Sequence, residues 1–204
     1  MPGNHFFLGR ATEKNSHQIF SQVGTWFVSI ALLVMLSITM FINEIIQFKL
    51  FGYTFLGIGY WDSTTIVPVI LMAYIFLGIF TIQLAGIYIH KKTKWIPIII
   101  GASAIVNIVS NIILIQFYGW EGAAWATLIG YIFMAILQFF IVKRFYQLFW
   151  EWIKLIRVII LFILLLSIWK FTSFGDMFFI KTFMIILFAF GAYYFVSNKN
   201  QLID

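Results

Sequence analysis

Cysteine is absent from this 204-residue sequence, and charge is scarce, at 10% of residues. Without cysteine there is no disulfide, no thiolate metal site and no cysteine nucleophile. A soluble domain carries about 25% charged residues, so a water-soluble globule of this size would lack the charge to coat its surface. The seven acids (Glu13, Glu44, Asp62, Glu121, Glu151, Asp176 and Asp204) all fall between apolar runs or at their ends. A carboxylate in mid-membrane is the usual mark of a proton relay or ion site, and none is placed there. His5, His17 and His90 are too dispersed for a metal-ligand or dyad spacing. Neither a glycine-rich phosphate loop nor a serine–histidine–acid set can be assembled. The reading is of a non-enzyme with no cofactor and no metal.

What the chain has instead is apolar length: 63% of its residues are hydrophobic and the mean hydropathy is +1.01. A helix needs about 20 apolar residues to cross the hydrocarbon core. Six such stretches are expected, over 23–42, 66–89, 95–117, 123–142, 155–171 and 178–196. The fifth carries Arg157 near its start and Lys170 near its end, positions from which long side chains snorkel to the headgroups; a re-entrant hairpin is the alternative there. The runs are rich in Ile and Phe but lack the period-2 alternation of a barrel strand. Backbone groups in lipid must pair within their own segment, so helices are expected. Pro68 and Pro97 fall in first turns, where a missing N–H costs nothing. The first run is longer than a signal-peptide core and no small-residue cleavage pattern follows it. The fold class is therefore an all-α integral membrane bundle of about six transmembrane helices, forming a single membrane domain.

The net charge of +6 is not gathered on a polar domain, so nucleic acid is not the expected partner; the bilayer is. With the amino terminus placed in the cytoplasm, ten cations lie inside (Arg10, Lys14, Lys91, Lys92, Lys94, Lys143, Arg144, Lys154, Arg157 and Lys199). Only Lys49, Lys170 and Lys181 lie outside. That is the bias of cytoplasmic loops, and it places both termini in the cytoplasm. All eight tryptophans lie at or near span ends, where an indole is half buried and its N–H stays wet. The outer segment 43–65 is expected to lie along the interface.

One polar stripe interrupts the apolar runs. Ser103, Asn107 and Asn111 recur at i, i+4 and i+8, on one face of the third span, with Ser110 beside them. An amide in hydrocarbon needs partners. The stripe is either hydrogen-bond glue to another helix or the lining of a polar substrate path. Gln83 and Gln138 pose the same choice, with a stronger lean to glue. The following YGWEGAAWAT, 118–127, combines a tight glycine turn with small residues that permit close helix approach.

The run GIYIHKKTKWIPIIIGASAIVNIVSNIILIQFYGWEGAAWATLIGY, 86–131, joins a basic turn, a helix with two spaced asparagines and a YG-x-x-GAA-x-AT turn. It resembles the carboxy-terminal part of polysaccharide biosynthesis proteins of the oligosaccharide flippase type, in the superfamily of multidrug and toxin extrusion transporters and lipid II flippases. The resemblance covers about a quarter of the chain, between residues 86 and 131. It implies a two-lobed flippase that moves lipid-linked oligosaccharide across the bacterial inner (plasma) membrane by alternating access. It makes Asn107, Asn111 and Gln83 the substrate-cavity candidates. Such relatives have about twelve to fourteen spans, and the opening MPGNHFFLGRATEKN resembles the cytoplasmic end of a preceding helix. The expectation is thus a truncated or split transporter, with the missing helical lobe as a separate chain. The rival readings are a small non-catalytic membrane subunit and a membrane-embedded transferase.

Overall fold

The computed structural model describes residues 16–50, 53–54, 57–146, 150–172 and 177–198. Arg10, Glu13, Lys14, Asp176, Lys199, Asp204 and His5 lie outside them, as does the side chain of His17. The protein is all-α, with six long helices among the described residues: α1 (Ser16–Gln47), α2 (Val67–Ile89), α3 (Trp95–Tyr118), α4 (Trp120–Val142), α5 (Trp152–Phe171) and α6 (Phe178–Ser197). Each contains a stretch long and apolar enough to cross a membrane. The fifth is a continuous 20-residue helix, and the re-entrant alternative is not what forms.

Between α1 and α2 the chain makes a minimal antiparallel pairing, Lys49 with Thr54 and Leu50 with Tyr53. A 3₁₀ helix (Ile58–Ile66) then runs directly into α2. Much of the expected interfacial segment is thus helix, because α1 continues through Gln47 and the 3₁₀ helix extends α2 backwards. At 32 residues, α1 is about 48 Å long, well beyond the ~30 Å hydrocarbon core. Pro97 is the third residue of α3, where no intrahelical partner is lost. Pro68 instead follows closely on the 3₁₀ helix, so the first-turn expectation fails there and its missing N–H falls within a continuous helical run.

The contacts fall into two compact units. Unit 1 takes α1 through Gly24 and then Val69–Trp150, hence nearly all of α2, with α3 and α4. Its core is Phe80 and Ile87 of α2, Ile99 of α3, Met134, Ile141 and Val142 of α4, and Tyr146. Unit 2 takes Thr25–Pro68 and the chain from Glu151, hence most of α1 with α5 and α6. There α1 and α6 run antiparallel. Phe41 meets Phe178 at one end, with ring centroids 5.5 Å apart, and Trp26 meets Tyr193 towards the other. Leu36 and Phe188 are fully enclosed in this unit, and Phe162 of α5 sits edge-on to Phe188 of α6.

The outward faces are as apolar as the inward ones. Ile105, Ile108 and Ile112 project from α3, Ile160 and Ile163 from α5, and Phe179, Phe183 and Phe190 from α6. Water would oppose exposing such contiguous surface; hydrocarbon accepts it. Helix formation here satisfies the backbone, and the side chains then divide between protein and lipid without a polar face.

Candidate functional site

The tightest packing in unit 1 is between α3 and α4, and small residues permit it. Gly119 makes the turn at φ +57°, a left-handed conformation that suits glycine. Gly122, Ala126 and Gly130 then follow at i, i+4 and i+8 on the face of α4 that meets α3. A Cβ on Gly122 would collide with the Leu114 carbonyl, and one on Gly130 would stand 3.0 Å from Asn107 Cβ. Gly122, assigned to the turn from sequence, is instead a first-turn helix residue that admits a neighbouring backbone.

Against this line of small residues lies the polar stripe. Ser103 Oγ donates to the Gly130 carbonyl at 2.7 Å, and Asn107 Nδ2 donates to the Ala126 carbonyl at 3.0 Å. Small side chains leave those α4 carbonyls accessible to a second donor. Asn111 turns back along its own helix, donating from Nδ2 to the Asn107 carbonyl at 2.9 Å and to Asn107 Oδ1 at 3.1 Å. Ser103 and Asn107 therefore join helices, while Asn111 is held beside them without reaching α4 through a hydrogen bond.

The two fully buried amides differ in the same way. Gln138 Nε2 of α4 donates to the Phe80 carbonyl of α2 at 2.9 Å, another bond that joins helices. Gln83, 3% exposed on the buried face of α2, makes no hydrogen bond among the described residues, and its Oε1 is enclosed. Oε1 of Gln138 is likewise buried without a partner, so the two amides differ in the Nε2 bond that Gln138 makes and Gln83 does not. A buried polar group left unpaired costs about 1–3 kcal/mol.

Helix register orders these groups by depth. Taking 1.5 Å per residue, Gln138 lies about 6 Å from the end of α4 and Gln83 about 9 Å from the end of α2. Ser103, Asn107 and Asn111 lie about 12, 18 and 24 Å from the start of α3. Those three helix ends belong to one side of the unit, since the His90 ring meets Phe145 edge-on and Tyr146 at a tilt, with centroids 5.6 and 5.5 Å away. The polar groups of the three helices thus lie at successive depths, from about 6 to about 24 Å from the basic end.

Unit 2 holds two polar contacts that the sequence reading missed. Lys181, 2% exposed near the start of α6, places Nζ 2.6 Å from Glu44 Oε1 near the end of α1 and lies 5.6 Å from the Phe41 ring. Lys154 bonds Glu151 at 2.8 Å and also the Val196 carbonyl at 3.1 Å, closing an open carbonyl in the last turn of α6. The i,i+3 spacing of Glu151 and Lys154 could have signalled their pairing. Nothing local could signal Glu44 with Lys181, which are 137 residues apart. Trp169 also departs from the wet-indole reading, because its Nε1 is buried without a partner.

Among the described residues, no three of His, Asp and Glu converge as a metal ion would require. Compared with known proteins, the chain matches no family model, no curated protein and no solved structure.

Proposed function

We propose that this chain is a partial flippase-type transporter, contributing six helices to a path for lipid-linked oligosaccharide across the bacterial inner (plasma) membrane. Gln83 carries the reading. A transport path needs polar groups at membrane depth that the protein's own packing has not consumed, and Gln83 is a buried residue that makes no hydrogen bond among the described residues. Asn111 is next to it in promise, being bonded only within α3. Asn107 gives one donor to α4, so its part in a cavity is limited to what remains after that bond. Transport of this kind forms no covalent bond: the work is to offer hydrogen bonds to sugar hydroxyls from one side and then the other. The cavity is completed by a second set of helices, which co-expression with the amino-terminal lobe of a flippase would supply.

The test is export of lipid-linked oligosaccharide by the co-expressed pair, comparing the parent chain with Gln83→Leu at equal protein level. Leucine fits the apolar surroundings and removes an unpaired amide, so folding is preserved or improved while export falls. Unchanged export would defeat the cavity assignment. A second reading, a non-catalytic membrane subunit, is favoured by the use of Ser103, Asn107 and Gln138 to join helices. It predicts copurification with a larger membrane protein and no effect of Gln83→Leu on export.

A further inference from the structure

The side of unit 1 where α2 and α4 end and α3 begins carries five cations: Lys91, Lys92, Lys94, Lys143 and Arg144. Contacts already described bring their segments together. The His90 ring contacts those of Phe145 and Tyr146, and Gly86 of α2 packs on Val142 and Tyr146. All five are exposed, and none makes an ion pair or side-chain hydrogen bond among the described residues. The one described acid of unit 1, Glu121, lies at the opposite end of α4. Among the described residues of unit 1, the cluster has no counter-charge.

Two details are costly for the protein by itself. Lys91 adopts φ +53°, the left-handed position after α2 that glycine normally fills. Lys92 N–H donates to the Ile87 carbonyl at 2.9 Å, completing the wrapped helix end around it. A lysine at such a position sacrifices backbone ease for a charged side chain. Lys94 immediately precedes α3, at the helix end where exposed N–H groups already make the potential positive. Lys91, Lys92, Lys143 and Arg144 do suit the carboxyl ends of α2 and α4, but Lys94 does not suit its own helix. It suits an external anion. Within a turn of the helix ends, Tyr88 and Ile98 are exposed, so the cations lie beside apolar surface.

We infer that this end of unit 1 is a seat for anionic phospholipid, with the five cations holding headgroup phosphates and the flanking helix surface holding the chains. The inference does not depend on the transport reading. It is tested on the purified full chain in neutral detergent, titrated with cardiolipin, phosphatidylglycerol or phosphatidylcholine and read by native mass spectrometry. Cardiolipin and phosphatidylglycerol should be retained over phosphatidylcholine, with the preference shrinking as salt rises. Neutralising cations (Lys91→Gln, Lys92→Gln, Lys94→Gln, Lys143→Gln and Arg144→Gln, singly and together) should weaken retention by about five-fold per charge. Lys49→Gln with Lys170→Gln, both exposed in unit 2, should leave it unchanged. Equal retention of phosphatidylcholine, equal loss in the unit 2 control, or full competition by soluble glycerol phosphate at matched concentration would each overturn the inference. Should a multiple variant lose helical circular dichroism, the salt and headgroup dependence of the parent chain decides by itself.

Discussion

At the residue scale, the most consequential contacts join groups that neither sequence spacing nor propensity connects. Lys181 is buried and depends on Glu44, whose side chain is 44% exposed. Removing Glu44 takes the carboxylate from a buried ammonium whose other neighbours include the Phe41 ring, whereas removing both charges leaves an apolar contact. Glu44→Gln should therefore destabilise the protein by about 2–3 kcal/mol, towards the lower side of the range for buried pairs because the carboxylate is half solvated. The double change Glu44→Gln with Lys181→Met should recover most of that loss, as measured by thermal unfolding in detergent. A double variant as unstable as Glu44→Gln alone would assign the loss to something other than the stranded ammonium. Lys91 poses the opposite case. Replacing it with glycine relieves a left-handed non-glycine residue and should stabilise by about 1 kcal/mol in neutral detergent, an effect visible as a higher unfolding midpoint even as lipid retention falls. A lower midpoint would mean that the lysine side chain supports the fold.

At the element scale, α3 and α4 behave as one unit because a polar line on one meets a line of small residues on the other. Interhelical hydrogen bonds in membranes average about 0.6 kcal/mol and reach about 1.7, so Ser103 and Asn107 together give only part of the hairpin's stability. Close approach supplies the rest through dispersion. Gly122→Val is the decisive change: its side chain would strike the Leu114 carbonyl, with an expected cost of about 2–3 kcal/mol. Cross-linking across the α3–α4 contact should drop in step with the unfolding midpoint; a normal midpoint would mean that the two backbones are not held so near. Much of this was legible beforehand. The i, i+4, i+8 spacing put Ser103, Asn107 and Asn111 on one face, and the small residues after Gly119 announced a close neighbour. What could not be read was how each amide spends its donors. Asn107 reaches α4, Asn111 folds back on α3, Gln138 reaches α2 and Gln83 reaches nothing described. Those outcomes turn on ångström offsets between helices, and sequence spacing carries no such information.

At the scale of the whole molecule, the charge distribution makes a prediction about orientation. The chain has no cysteine, so single-cysteine variants report without background. Lys92→Cys, between α2 and α3, should be labelled by a membrane-impermeant maleimide only after the cells are permeabilised. Tyr118→Cys, at the far end of α3, should be labelled in intact cells. The reverse pattern would invert the topology and remove the cytoplasmic placement of both termini.

The sequence by itself determined the solvent and the kind of secondary structure. Six uncharged stretches of membrane length leave the backbone no partner but itself, and that constraint holds whatever the neighbours are. It also carries the charge bias from which an orientation is expected, since cations flanking a span are counted along the chain. The tertiary structure alone decided which helices meet, and so which polar groups are satisfied. Lipid and protein are nearly equal hosts for an isoleucine or a phenylalanine. The apolar pattern therefore cannot say which face of α2 or α6 turns inward. That choice emerges from where a glycine lets a carbonyl approach, and from where Lys181 finds Glu44.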